Sequence, residues 1–404
     1  MKTYLKKVLK VLSLIRFGDI CDLVKIILSC PIGLIFRLFK KDIWIVSEME
    51  HTARDNGYWF FKYMRQNHPD RAVYYPIQFS SPDYKRVAPL GNVIPHGSFK
   101  HHIYTWAARV DISARTGRGL PASFMCHLFQ VRGFYPFKTV FLQHGVTMNK
   151  APFLEQKRNR IDLFIAATEA EAKGIVNDLG YSAQKVKVLG FTRYDELNEF
   201  NANNNQILLM PTWRFWLYPD LGRITEQDRL KVKNSNYVKT YCSFLSSKRL
   251  NDFLTENNLT LLFFPHNQMQ PFLGEFEGNE RIKIASTEEY DVQKALKESA
   301  YLITDYSSIS FDFAYMKKPL CYFQFDYDEF REKHYPEGYF SYKDHGFGPI
   351  IKTEDDLITE IEQSFKNGFI MDDVYKSRVD ETFKFRDKNN CKRTFEAIEN
   401  LIKG

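Results

Sequence analysis

Two histidines leave apolar runs at points where a parallel sheet would open onto a ligand. Phe141-Leu142 runs into Gln143-His144-Gly145, and Phe264 into Pro265-His266. An imidazole titrates near neutrality and can take a proton from an attacking hydroxyl, while a following glycine lets backbone amides approach a ligand. Met210-Pro211-Thr212-Trp213-Arg214 follows a third run, and a guanidinium there offers a planar fork to phosphate. The fourth stretch is Thr304-Asp305-Tyr306-Ser307-Ser308, with Asp312 close behind. Its hydroxyls can cap the next helix, whose free amides and dipole attract phosphate. Each stretch alone has an ordinary structural explanation: a hydrogen-bonded histidine, a surface arginine beside an aromatic, a plain N-cap. Asp326-Tyr327-Asp328 spells a metal–nucleotide pattern, but three-letter matches are common and a turn rich in Asp is ordinary after a strand.

The elements that would position these groups alternate between short apolar runs and helical stretches. Strands are expected at Ile43–Val46, Ala72–Ile77, Asn92–Ile94, Val110–Ile112, Thr139–Leu142, Leu163–Ala166 and Val186–Leu189. Asn201, Asn203, Asn204 and Asn205 then form a polar, turn-prone joint. A second series has strands at Ile207–Met210, Leu261–Phe264, Ile282–Ala285 and Tyr301–Thr304, with Leu320–Phe323 as its last. Its longest helical region surrounds Tyr237–Leu254, and helices at Asp355–Lys366 and Arg393–Ile402 close the chain. The pattern predicts an α/β protein of two facing Rossmann-like domains, with ligands at the carboxyl ends of the strands. The expected segments are 1–41, 42–200, 206–388 and a terminal helix in 389–404.

The net charge of +7 belongs to one end of the chain. Residues 1–41 hold nine cations and two anions, which leaves 47 of each sign in the other 363 residues. A nucleic-acid partner is disfavoured, because phosphate binding needs basic residues spread over the contacting surface. Six scattered cysteines without C-x-x-C spacing indicate free thiols in a reducing compartment. Leu5, Val8, Leu9, Leu12 and Ile15 share one helical face, with Lys6 and Lys10 on another. A second apolar stretch, Ile26 to Phe36, is broken by Pro31 and Gly33. Neither reaches the roughly 20 uncharged residues needed to span a bilayer. A basic amphipathic helix lying on an anionic membrane surface is the expectation, with packing on the protein's own body as its rival.

The ordered set His144-Gly145, Pro211-Thr212-Trp213-Arg214, Pro265-His266 and Thr304-Asp305-Tyr306-Ser307-Ser308 with Asp312 resembles the CDP-glycerol glycerophosphotransferase family, the teichoic-acid primases and polymerases. Asp55-Asn56-Gly57, Gly190-Phe191-Thr192-Arg193-Tyr194-Asp195 and Phe347-Gly348-Pro349-Ile350 support it, and the resemblance covers about residues 43–370. It implies a GT-B-like fold, a CDP-polyol donor in the C-terminal domain and an acceptor on the N-terminal side. His144 would be the general base. Gly145, Val146, Thr147, Met148, Arg214, Pro265, His266, Thr304, Asp305, Ser307, Ser308 and Asp312 would bind substrate, with Ser286 and Thr287 lining the nucleotide pocket. No tightly bound cofactor or metal site is implied, and a divalent-ion requirement stays open. The family pattern has Trp before the histidine and Thr-Pro-x-Lys-Lys after the glycine; this chain has Gln143 and Val146-Thr147-Met148-Asn149-Lys150.

The expected reaction moves a polyol phosphate, glycerol phosphate first, to a hydroxyl of a lipid-linked saccharide or polyol-phosphate chain, releasing CMP. A peripheral enzyme at the cytoplasmic membrane face would do this, and its N-terminal apolar faces could be shared between subunits as a homo-oligomer. The rivals are a GT-B glycosyltransferase using a nucleotide sugar and a catalytically inactive membrane-bound scaffold.

Overall fold

The computed structural model describes residues 17–40, 42–197, 203–218 and 224–403. The helix expected around Leu5–Ile15 lies outside them. Seven strands, β1 (Ile43–Ser47), β2 (Ala72–Ile77), β3 (Val93–Pro95), β4 (Ala108–Ser113), β5 (Lys138–Phe141), β6 (Leu163–Ala166) and β7 (Val186–Val188), form the first sheet. The second contains β8 (Asn203–Leu209), β9 (Thr260–Phe263), β10 (Ile282–Ile284), β11 (Ser299–Thr304), β12 (Leu320–Phe323) and β13 (Ile350–Ile351). Their orders are β3-β2-β1-β4-β5-β6-β7 and β10-β9-β8-β11-β12-β13, with parallel pairing throughout.

Helices cover both faces, so β1 and β11 are buried at every position and read as apolar runs with small hydroxyl residues only at their ends. In both orders the direction reverses beside the first strand of the series. The crevice there, between β1 and β4 or between β8 and β11, is where such sheets hold ligands.

The helices used below are α1 (Phe17–Phe39), α2 (Asn56–Asn67), α3 (Phe99–Ala107), α4 (Ser123–Val131), α5 (Glu169–Leu179), α6 (Ile309–Tyr315) and α7 (Asn390–Lys403). The last returns to the first sheet, where Cys391 and Ile398 join the core of Trp44, Phe60 and Val140. Asp195 holds its start, accepting from Asn390 N at 2.8 Å, Asn390 Nδ2 at 2.7 Å and Cys391 N at 2.8 Å.

Several expectations need correcting. Ile26 to Phe36 is not broken: α1 runs through Pro31, and Gly33 is the point of closest approach to α3. A Cβ on Gly33 would collide with the Trp106 side chain and the Ile103 carbonyl. Trp106 Nε1 donates to Ile26 O at 3.0 Å, and Arg37 donates to the Ala108 and Pro136 carbonyls. Asn203 to Asn205 belong to β8, whose pairing with β11 begins at Asn203 opposite Ser299. The long helical region is two helices meeting at Ser247. Leu320–Phe323 is followed by the edge strand β13, paired at Tyr322 with Ile350.

The opposite face of α1 is also apolar. Ile20, Val24, Ile27, Leu28, Ile32, Leu34, Ile35, Leu38 and Phe39 are exposed, Leu38 by 68% and Phe39 by 84%. No helix among the described residues is long and apolar enough to cross a membrane.

Candidate active site

A cavity of about 450 Å³ lies between the carboxyl ends of the two sheets. Its first-sheet wall carries Glu48 and His51 after β1, Arg115 after β4, His144 after β5, and Arg54, Asp55 and Arg193 from loops. Thr287, Tyr290, Ile309 and Asp312 come from the second. The walls are tied together. Arg54 Nη1 donates to Thr287 O at 3.1 Å and Tyr290 O at 3.2 Å, while its own carboxylate partner is Asp83. Arg86 pairs with Asp291, and Arg331 Nη1 donates to Asn149 Oδ1 at 2.7 Å.

His144 is exposed to the cavity, yet protein encloses it. That desolvation, then the cations Arg115 and Arg193 and the neighbouring His266, hold its pKa well below the ordinary value. The ring is therefore neutral at pH 7 and able to accept a proton.

Its loop is held from beneath. Gln143 takes a positive φ of 60°, which turns the chain sharply at the strand end. Its amide donates to Ile165 O at 2.6 Å and to Glu171 Oε1 at 3.0 Å, and it accepts from Thr147 Oγ1 at 2.6 Å. Glu171, fully buried on α5, also accepts from Thr147 N and Ala167 N, both at 2.6 Å. Asn56 at the start of α2 donates to Leu142 O at 3.3 Å and Gln143 O at 2.8 Å. The departure at Gln143 is thus part of a satisfied polar network rather than a gap.

Gly145 has a different reason. A Cβ there would collide with Ser308 Oγ, so glycine allows the His144 loop to meet the serine pair of the second sheet. Ser308 makes no side-chain capping bond; Ser307 Oγ accepts from Ile309 N at 3.3 Å. The helix α6 has seven residues with Asp312 in its first turn, so that carboxylate opposes the anion attraction expected of its N-terminus. His266 is exposed, and its Nδ1 accepts from Gln268 N at 3.2 Å. Burial, then Arg115, depresses its pKa to about 4, so the neutral ring carries its proton on Nε2. Trp213 stacks over it at 6.1 Å.

Of the expected site residues, His144, Thr287 and Asp312 line the cavity; Gly145, His266, Ser307 and Ser308 are chain neighbours of its lining residues His144, Asn267 and Ile309, and most of the others are committed elsewhere. Arg214 has 0% exposure. Its fork takes Asp326 through Nε at 2.6 Å and Nη2 at 3.0 Å, and Asp305 through Nη1 at 2.9 Å. Tyr237, Tyr306 and Phe330 rings enclose it within 5.0 to 5.2 Å. It orients the strand-end loops and offers nothing to a phosphate. Asp326 of the discounted D-x-D is therefore its counter-ion. Asp305 is equally enclosed, also accepting from Thr212 N at 2.8 Å. Thr304 Oγ1 is buried and donates to Met210 O at 2.7 Å. Val146 and Met148 are buried in the apolar core shared with Phe191, Tyr306 and Phe311. Thr147 is spent on Gln143 and Glu171, and Pro265 O on Gln270 Nε2. Ser286 Oγ accepts from Glu289 N at 3.2 Å, shaping the turn that presents Thr287. Asp312 lines the cavity but meets the Arg193 guanidinium, with Nη2 to Oδ2 at 2.9 Å; Asp55 accepts from Arg193 Nη1 at 2.9 Å. Sequence reading assigned no role to Arg193, Asp55, Glu48, Arg54 or Arg115, although the first two stood in quoted motifs.

The family model for CDP-glycerol:poly(glycerophosphate) glycerophosphotransferase matches residues 31–400. The chain belongs to this family. It is 32% identical over 372 residues to the minor teichoic acid biosynthesis protein GgaB of Bacillus subtilis (strain 168), a match spanning 91% of this chain and 41% of that protein. It is 25% identical over 336 residues to the teichoic acid poly(glycerol phosphate) polymerase of the same strain, covering 75% of this chain and 41% of that one. The matches thus span about two fifths of the length of these two relatives. The solved wall teichoic acid polymerase TagF shares the fold of this glycerophosphotransferase-family chain with a TM-score of 0.65 at 15% identity, covering 96% of this chain and 99% of that one. A putative UDP-N-acetylglucosamine 2-epimerase from Listeria monocytogenes follows at a TM-score of 0.51 and 14% identity, covering 90% and 97%.

Proposed function

We propose that this chain transfers a polyol phosphate, glycerol phosphate first, from a CDP-activated donor to a hydroxyl of a lipid-linked saccharide or polyol-phosphate chain in teichoic-acid-like polymer synthesis. The observation carrying this reading is His144, neutral and open to one cavity that Thr287 and Asp312 of the other sheet complete. The acceptor hydroxyl gives its proton to His144, and its oxygen forms the new bond to the β-phosphorus. The bond from that phosphorus to the bridging oxygen breaks, and CMP leaves with the electron pair. The His266 Nε2–H, the Thr287 segment and the hydroxyls of Ser307 and Ser308 orient the donor. Such a transfer depends on positioning and charge neutralisation rather than covalent help. The test is incubation with CDP-glycerol, CDP-ribitol and nucleotide sugars plus a lipid-linked acceptor. CMP release supports the reading, whereas release of UDP or GDP alone would replace it with glycosyl transfer.

The enzyme works at an anionic membrane surface through α1. A helix that packs one apolar face on its own body and bares nine large apolar side chains on the other needs a second apolar phase. The positive charge confined to residues 1–41 would draw it to acidic lipid. Replacing Ile27, Leu38 and Phe39 together with serine spares the face on α3. That variant is expected to lose cosedimentation with anionic vesicles while releasing CMP at the wild-type rate with a soluble acceptor. Undiminished sedimentation would reject α1 as the contact.

A further inference from the structure

Every arginine lining the cavity except one is committed to protein partners. Arg54 holds Asp83 and two carbonyls of the second sheet, and Arg193 holds Asp55 and Asp312. Among the described residues, nothing accepts a hydrogen bond or ion pair from the Arg115 guanidinium. The residue follows β4, directly at the crevice between β1 and β4 where the order of the first sheet reverses. Its backbone is clamped: Ser113 Oγ accepts from Arg115 N at 3.1 Å and donates to Arg115 O at 2.6 Å. An unpaired cation on a pinned loop inside a cavity is preorganised for an anion that the protein itself does not supply.

Its charge acts on the titratable groups of both walls. Arg115 contributes to the depressed pKa values of His144 on the first sheet and His266 on the second, and it lowers that of Asp55 against burial. Arg115 and His144 line the same cavity, whose other wall carries Thr287 and Asp312, so a phosphoryl group passing between acceptor and donor there lies within the cation's field. There the non-bridging oxygens of a transferring phosphoryl group carry the transition-state charge.

We propose that Arg115 is a catalytic residue that binds the non-bridging oxygens of the phosphoryl group in flight. This rests on the transfer reading above. Arg115 takes no proton and forms no bond; His144 accepts the acceptor's proton and CMP leaves with the electron pair. Because the interaction strengthens as the bridging bond lengthens, its loss falls on kcat more than on donor affinity.

The test compares wild type, Arg115→Ala, Arg115→Lys and Arg118→Ala, using CMP release from CDP-glycerol and direct CDP-glycerol binding. Arg118 is an exposed residue of the same loop outside the cavity lining and serves as the control. Arg115→Ala is expected to lower kcat by about 10²–10³-fold, the usual loss for one preorganised donor, with the donor Kd changed less than about threefold. Arg115→Lys restores part of kcat, since the charge survives without the fork. Removing the cation also lets the His144 pKa rise, so the acidic limb of kcat/KM moves to higher pH in Arg115→Ala, while Arg193 and His266 keep it below the ordinary value. A purely structural arginine would instead lower stability and donor binding together with kcat, and lysine would restore no turnover. Wild-type kcat in Arg115→Ala, a loss confined to donor Kd, or an unmoved limb overturns the inference. A wild-type enzyme that releases no CMP from any CDP-polyol withdraws the transfer reading as well; an active wild type beside an equally active Arg115→Ala removes this inference alone.

Discussion

His144→Ala is expected to lower CMP release by about 10²–10⁴-fold, the contribution of a well-placed general base, while CDP-glycerol binding stays near the wild-type level. The donor contacts proposed here come from His266, the Thr287 segment and the serine pair, none of which depends on the His144 ring. Its loop would survive the substitution, since Gln143, Thr147 and Glu171 hold it without the imidazole. The pH profile supplies a second reading. A base must be deprotonated to act, and burial together with Arg115, Arg193 and His266 keeps the pKa of His144 well below 6.5. The acidic limb of wild-type kcat/KM is therefore expected below pH 6.5, with a flat rate through neutrality. Turnover at the wild-type rate in His144→Ala would remove the residue from its role, and a limb at or above pH 6.5 would contradict the enclosed site.

Arg214→Ala is expected to destabilise the protein by about 3–5 kcal/mol, because removing one partner of a buried ion network leaves the other charges enclosed and unpaired. Asp305 and Asp326 would both lose their counter-ion in a space walled by Tyr237, Tyr306 and Phe330. The penalty of each enclosed carboxylate exceeds that of an exposed pair severalfold. Urea denaturation with and without CDP-glycerol measures it. A lowered midpoint is the expected outcome, and Asp326→Asn should move in the same direction by a smaller amount. An unchanged midpoint with lost donor affinity would restore the phosphate-binding role that the motif suggested for this arginine.

The contrast between these two residues shows what could be seen in the chain. Both stand just past apolar strands in motifs of similar appearance. The strands were legible because a sheet covered on both faces needs continuous apolar runs, and β1, β6, β11 and β12 are buried at every position. The glycine after His144 was legible as a close approach, but not that Ser308 was what approached. Arg214 and Asp326 are 112 residues apart and Arg193 and Asp312 are 119 apart. Periodicity reports a residue's immediate neighbours along an element and carries no information about such partners. Pro31 and Gly33 failed as helix breakers for a related reason. The proline costs α1 one amide bond, while contact with Trp106 and Ile103 stabilises the helix around it.

From the sequence alone came the α/β alternation, the two strand series, the neutral body with a basic end, and the histidines and hydroxyls at strand termini. These are local properties, dictated by the spacing and type of adjacent residues. Only the tertiary structure decided which charges are available to a substrate. It enclosed Arg214 between two aspartates, matched Arg193 with Asp55 and Asp312, and left Arg115 facing the cavity. A cation's availability is set by whatever carboxylates the fold brings within hydrogen-bonding distance, and that distance exists only once the chain has folded, within one sheet for Arg214 and across the two for Arg193 and Asp312.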